Sequence, residues 1–162
     1  MLVAIISDTH DNIWNLAKAL EIFKKKNVSA LIHCGDFCAP FIIKKLDELG
    51  VPVHCVFGNT DDRFSTTEIA LGSKNVKLYG DVAQFELDNK KIAITHFPIF
   101  AKGIAHTKEQ DIVFYGHNHT KKQEIINNTL LVNPGELSGV KNTPSFAIYD
   151  TETNKVEFFD LK

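Results

Sequence analysis

The chain has 162 residues, 44% of them hydrophobic, enough for one domain over residues 1–162 with a core of its own. Eighteen Lys and Arg stand against 20 Asp and Glu, a formal net charge of -2, so no global basic field favours a nucleic-acid partner, and phosphate chemistry would need local positive charge. No apolar run reaches the length of a membrane span, and the opening MLVAII is too short for a signal peptide.

In chain order, Leu2 to Ser7 is a short branched apolar run that predicts a buried strand. Residues 12 to 26 follow with helical spacing in Ile13, Leu16, Ala17, Leu20 and Phe23. Ser29 to Cys34 repeats the strand signal, Pro40 to Leu49 the helix with Gly50 as its stop, and Val53 to Phe57 is a third strand. Such alternation predicts parallel strands joined by crossover helices.

Beyond Asp62 the pattern changes. A short helix is expected near Thr66 to Leu71, then strands at 76 to 79, 82 to 87 and 91 to 95, the last two forming a hairpin around DNK. Residues 103 to 110 read as weakly helical. Strands are expected at 112 to 115, 124 to 126, 130 to 133, 146 to 150 and 156 to 161, with NN at 127 to 128 and TETN at 151 to 154 as turns. A parallel half, a more antiparallel half and helices outside predict an α/β fold of two sheets packed face to face and covered by helices.

The short runs at Lys24 to Lys26, Lys90 to Lys91 and Lys121 to Lys122 are expected on solvated surface. Cys34, Cys38 and Cys55 make an odd set without a CxxC pair, which suits core positions in a reducing, cytoplasmic compartment rather than a disulfide framework or a thiolate site.

The chemically loaded residues gather where strands end. Asp8 and His10 follow the first strand, Asp36 the second, Asn59 the third, His96 the strand at 91 to 95, and His117 and His119 the strand at 112 to 115. In open α/β sheets ligands bind outside such ends. The two-residue spacing of Asp8 with His10, and of His117 with His119, predicts that in extended backbone each pair projects to one side. Gly35, Gly58 and Gly116 precede Asp36, Asn59 and His117, permitting a sharp turn or a close backbone approach. Four imidazoles, two carboxylates and an amide oxygen are a mixed nitrogen and oxygen set, suited to Mn, Fe, Zn, Ni or Co rather than Ca or Mg. Seven donors exceed the need of one tetrahedral ion, and with one carboxylate shared they supply four contacts to each of two.

The pattern D-x-H, G-D, G-N, a lone H and G-H-x-H, here Asp8-Thr9-His10, Gly35-Asp36, Gly58-Asn59, His96 and Gly116-His117-Asn118-His119, resembles the calcineurin-like metallophosphoesterases. With SDTHD, HCGD, GNTD, YGHNH and NPGE in order, the chain is similar over nearly its full length to the small single-domain branch of YfcE-type and archaeal phosphodiesterases. The resemblance implies a four-layer α/β/β/α sandwich of two mixed sheets flanked by helices, in which Asp8, His10, Asp36 and His119 hold one divalent ion and Asp36, Asn59, His96 and His117 hold a second, with Asp36 bridging. Two ions, Mn2+ first with Ni2+, Fe2+, Zn2+ or Co2+ as alternatives, would then position a bridging hydroxide for in-line attack on a small phosphodiester such as a 2',3'-cyclic nucleotide or an aryl diester. Asp36, Asn59 and His96 would also position the transition state, and Asp61 resembles an aspartate that orients a ligand without binding metal.

Two departures stand out. Many relatives carry a histidine, a candidate acid for the leaving group, where this chain has Thr60, and often a glycine where it has Phe97. Thr60, Phe97 and Asn118 are the candidate substrate contacts. The cluster Phe97 to Phe100 reads first as a core or subunit contact, which keeps a homo-oligomer among the expectations, and second as an aromatic wall for a nucleobase or aryl ester. His33, His54 and His106 read as structural histidines, and Gly135 as a turn glycine. The alternative to an enzyme is a non-catalytic interaction scaffold of the Vps29 kind; the complete donor set favours the enzyme.

Overall fold

A computed structural model describes residues 1–162. The elements, in chain order, are β1 (Leu2–Ile6), α1 (Ile13–Lys25), β2 (Ala30–His33), α2 (Phe41–Asp47), β3 (Val53–Cys55), α3 (Arg63–Gly72), β4 (Val76–Leu78), β5 (Val82–Leu87), β6 (Lys90–Thr95), α4 (Pro98–Thr107), β7 (Ile112–Phe114), β8 (Lys121–Ile126), β9 (Thr129–Pro134), β10 (Ser145–Asp150) and β11 (Lys155–Asp160). Six strands form one sheet in the order β11-β10-β1-β2-β3-β4, and five form the other in the order β5-β6-β7-β9-β8. β1 to β4 pair in parallel, as do β6, β7 and β9, while β10, β11, β5 and β8 join antiparallel.

Alternation along the strands builds the layers. Val3 and Ile5 of β1 pack with Ile92 and Ile94 of β6 and Ile112 and Phe114 of β7 between the sheets. Their neighbours Ala4 and Ile6 face the other way, against Leu16, Phe23, Ile43 and Leu46 of α1 and α2. On the far side of the second sheet, Ala93 and Val113 meet Ala101 and Ala105 of α4. The result is two mixed sheets flanked by helices. The outer face of the second sheet is covered by α4, whose small residues let it lie close to the strands.

Three elements begin three or more residues before their expected starts. α4 begins at Pro98 rather than 103, because proline at the first helical position is already set to a helical φ and loses no hydrogen bond. α3 begins three residues early because Asp62 caps it, accepting from Ser65 N–H at 3.1 Å. β8 begins at Lys121 rather than 124; it is the sheet's edge, where exposed Lys121, Lys122 and Gln123 carry no apolar signal. The β5–β6 and β8–β9 hairpins turn on Asp88-Asn89 and Asn127-Asn128, all four at positive φ, as tight two-residue turns require.

Candidate metal centre

The seven donors leave the C-terminal ends of β1, β2 and β3 in one sheet and of β6 and β7 in the other, and they converge where the two sheet rims face each other. The pairs do not project from extended backbone, contrary to the spacing argument. Asp8, His10, Asp36, His117 and His119 all have left-handed backbone, with φ of 53, 42, 57, 72 and 58°. Strain of about 1–3 kcal/mol at each such residue persists because the surroundings over-determine it. Asp8 N–H donates to Gly35 O and His10 N–H to Asp36 O, both at 3.0 Å, while Asp8 O accepts from Ser138 N–H at 3.0 Å. These turns make Asp8 and His10 converge. His117 and His119 diverge, one toward Asn59, the other toward Asp8.

Two halves result. In the first, Asp8 Oδ1 lies 3.3 Å from His119 Nε2 and 3.9 Å from His10 Nε2, which in turn lies 3.6 Å from Asp36 Oδ2. In the second, His96 Nε2 lies 3.4 Å from Asp36 Oδ2, 3.2 Å from Asn59 Oδ1 and 3.3 Å from His117 Nδ1, with His117 Nδ1 and Asn59 Oδ1 2.9 Å apart. Donors about 2.1 Å from a tetrahedral ion stand about 3.4 Å from one another, so these separations suit a common cation. Asp36 Oδ2 faces both halves. Asp8 meets His10 and His119 through Oδ1, while its Oδ2 accepts the His117 amide at 3.1 Å.

The lone pairs also fit an ion. His96 Nδ1 donates to Cys34 O at 2.8 Å, so Nε2 of the neutral ring is a lone pair aimed at the oxygens of Asn59 and Asp36. Lone pair against lone pair is repulsive unless a cation stands between them. Asp8 Oδ1 and His10 Nε2 are buried without a hydrogen-bond partner, a costly arrangement that a bound ion relieves. Without metal, a proton takes up part of that role. Burial lowers the His96 pKa, but the hydrogen bond and charge of Asp36 outweigh it and raise the ring above the ordinary imidazole value. Burial likewise pushes Asp36 upward, yet His96 and the Thr60 amide hold it well below the usual carboxylate range. Asp8, more deeply buried, is raised. Burial and the neighbouring His96 charge lower His117.

Three glycines are needed for closeness: a Cβ on Gly35 would lie 2.6 Å from Gly58 N and 2.9 Å from His96 Nδ1. A Cβ on Gly58 would overlap the Asp36 carboxylate, and one on Gly116 would lie 2.8 Å from Asp8 Oδ2 and against Ser7 Oγ.

Behind the donors lies a layer of supports. Asp61 accepts from Gly58 N–H at 2.6 Å, Cys38 N–H at 2.7 Å and Asp36 N–H at 3.1 Å, tying the exits of β2 and β3 together. Glu136, fully buried after β9, accepts His119 Nδ1–H at 2.9 Å, the amides of Val140, Lys141 and Asn142, and the Ser138 hydroxyl. Burial presses its pKa upward, but these donors prevail and bring it to about 2. His33, read from the sequence as structural, braces both ligand loops: its Nδ1 accepts Gly35 N–H at 3.1 Å, so Nε2–H donates to Thr9 Oγ1 at 2.8 Å. Cys38 is not a core residue as expected. It is half-buried, with Sγ 3.4 Å from His10 Nδ1 and 3.1 Å from Thr60 Oγ1; Cys34 and Cys55 are buried, and all three are free. His54 stacks on Phe85 with centroids 4.3 Å apart, and His106 meets Asn127.

An open cleft of about 320 Å³ exposes His10, Asp36, Asn59, His117 and His119, with Thr60, Val140 and Lys141 as its rim. Thr60 thus borders the cleft. Phe97 does not: it caps α4 and packs its ring on those of His96 and His117, with centroids 5.1 Å apart in each case. Asn118 is exposed outside the cleft, its amide closing the turn onto Gly116 O at 2.9 Å. Val140, Lys141, Glu136 and His33 carried no sequence signal beyond NPGE and HCGD, because their roles depend on which backbone amides fold against them. No helix is long and apolar enough to cross a membrane.

Known proteins resemble this chain in sequence and fold. Phosphodiesterase MJ0936 of Methanocaldococcus jannaschii is 35% identical over 156 residues, covering 94% of either chain. Phosphodiesterase YfcE of Escherichia coli K12 is 22% identical across 96% of this chain and 91% of its own. The solved structure of an archaeal phosphodiesterase superposes with a TM-score of 0.91 at 34% identity, over 99% of this chain and 100% of that one. Vps29 of Entamoeba histolytica, solved with Zn2+, shares the fold at a TM-score of 0.71 and 19% identity over 99% of both. The sequence profile of the calcineurin-like phosphoesterase superfamily domain matches residues 1–154. With that match, the archaeal identity and the seven converging donors in agreement, the chain belongs to the calcineurin-like phosphoesterase superfamily.

Proposed function

We propose that the chain hydrolyses small phosphodiesters, 2',3'-cyclic nucleotides or aryl diesters among them, in the cytoplasm, and uses two divalent ions, Mn2+ first among the candidates. Asp8, His10, Asp36 and His119 hold one ion in this reading, and Asp36, Asn59, His96 and His117 the other, with Asp36 shared. The two ions, when bound, supply a hydroxide at neutral pH and a local charge of about +2 over the carboxylates, which draws phosphate to an otherwise acidic chain. The protein does the positioning. Cys34 O and Glu136 fix the rings of His96 and His119 by their Nδ1–H groups, and Asp61 fixes the Asp36 loop. Water adds to phosphorus, one ester P–O bond breaks, and an alcohol and a phosphomonoester leave. Thr60, with its hydroxyl beside Cys38 Sγ, offers no imidazole to protonate that alcohol, so good leaving groups such as p-nitrophenol are favoured.

The observation that carries this reading is the pair of orphaned buried lone pairs, Asp8 Oδ1 and His10 Nε2, within a ring of donors at ligand separations. The complete set of seven donors favours the enzyme over a non-catalytic scaffold. The test is hydrolysis of bis-p-nitrophenyl phosphate with Mn2+, by the natural protein and by Asp36→Asn. Loss of turnover in the variant supports the reading, and equal rates sink it.

A further inference from the structure

His119 forms the wall of two hollows. On one side is the reaction cleft; on the other is a pocket of about 260 Å³ lined by Thr120, Lys121, Asn142, Thr143, Ser145 and Asp160 together with His119, with no apolar side chain among them. The saddle between the two is the hydrogen bond from Asn142 Nδ2 to His119 O, 2.9 Å long, and Lys141 and Asn142 look into opposite hollows. A diester held with its phosphorus at the cleft has a second arm to place, and the neighbouring pocket shares its His119 wall with the cleft.

The lining decides the chemistry of that arm. Lys121 and Asp160 form an ion pair that keeps acceptor and donor capacity to spare, and Asn142 Oδ1 and the Thr143 hydroxyl enter no hydrogen bond of the fold. An aryl or alkyl arm would strip water from these groups and return nothing. A group with vicinal hydroxyls replaces each lost water. Below the usual 300–1,000 Å³ of drug-sized sites, the volume suits one glycerol or pentose unit. We infer that this pocket is a subsite for a hydroxyl-rich arm of the substrate, a glyceryl or sugar group esterified to the phosphate that reacts over His119. The inference rests on the phosphodiesterase reading and narrows its substrate class away from the aromatic wall, since Phe97 faces neither hollow.

The test uses two diesters with one leaving group, p-nitrophenyl 2,3-dihydroxypropyl phosphate and p-nitrophenyl propyl phosphate, assayed with Mn2+ on the full chain and on Thr143→Val and Asp160→Asn. The expected result is a kcat/KM about tenfold higher for the dihydroxypropyl ester, the discrimination of roughly one to two lost hydrogen bonds, collapsing toward equality in both variants. Equal kcat/KM for the two esters in the natural protein overturns the subsite and leaves the phosphodiesterase standing. A preference that survives both substitutions overturns the placement in this pocket. Hydrolysis of neither ester overturns the phosphodiesterase reading and the subsite with it.

Discussion

His33 offers a quantitative test of how the ligand loops are held. Its imidazole is fully buried, with Nδ1 committed to Gly35 N–H and Nε2–H to Thr9 Oγ1, one residue before Asp36 and between Asp8 and His10. Burial, helped by the neighbouring His96 charge, lowers its pKa from 6.5 to about 3. The folded state therefore resists protonating this ring more than the unfolded chain does. A lowered folded pKa gives stability that is fully present above about 6.5 and is lost as pH falls through the window down to about 3, some 5 kcal/mol in all. Single-site linkage puts about 2 kcal/mol of that loss between about pH 6 and about pH 4.5.

His33→Gln keeps an acceptor and a donor but cannot titrate. Urea unfolding of metal-free protein, followed by circular dichroism across that window, should show the natural chain losing about 2 kcal/mol more than the variant. Other titrating groups, Asp36 and Glu136 included, contribute to both proteins and cancel in the difference. Parallel stability curves for the two proteins would refute the reasoning, for they would mean that the ring takes its proton without breaking the bonds to Gly35 and Thr9.

Four further outcomes follow from the site. Glu136→Gln should weaken Mn2+ binding by about 10–100-fold in calorimetric titration, since it loses the charge that orients His119 and turns an amide against the donors of Lys141 and Asn142; unchanged affinity would count against it. Gly58→Ala should cost about 1–3 kcal/mol in thermal unfolding and remove Mn2+-dependent turnover, because its methyl group overlaps the Asp36 carboxylate; a stable, active variant would contradict the packing. Phe97→Ala should lower turnover of a 2',3'-cyclic nucleotide and of an alkyl diester by the same factor, its ring lying behind His96 and His117 rather than in the cleft; a loss confined to the nucleotide would restore a stacking role. Metal occupancy and hydrolysis should both fall below about pH 6, because the ligand imidazoles must be neutral and Asp36 raises the proton affinity of His96; full occupancy at about pH 5 would contradict this.

The layered fold was legible because strand alternation and helical spacing are local signals. The seven donors were legible because each stands just past a strand, where chain direction alone sets which rim it joins. What stayed hidden depends on contacts distant in sequence. Nothing near Glu136 foretells that the amides of residues 140 to 142 turn back onto it, and His33 within a strand looks like any buried histidine until Thr9 and Gly35 close on its two nitrogens. Left-handed backbone at Asp8, His10, Asp36, His117 and His119 was invisible for the same reason: no glycine or asparagine marks it, and only the cross-loop hydrogen bonds hold it.

That hidden conformation changes the reason the histidines of G-H-x-H are spaced by one residue. In an extended strand the spacing would send both rings to one side and crowd a single ion. The two left-handed turns, locked by Gly116 N–H on His96 O and Asn133 Nδ2 on Gly116 O, instead swing His117 toward Asn59 and His119 toward Asp8. One short loop of the second sheet thereby reaches donors that follow β1 and β3, the two neighbours of β2 in the first sheet, with the Asp36 carboxylate that follows β2 between them. A centre with two halves and a shared oxygen follows from that divergence, and it requires the exits of both sheets to face one rim.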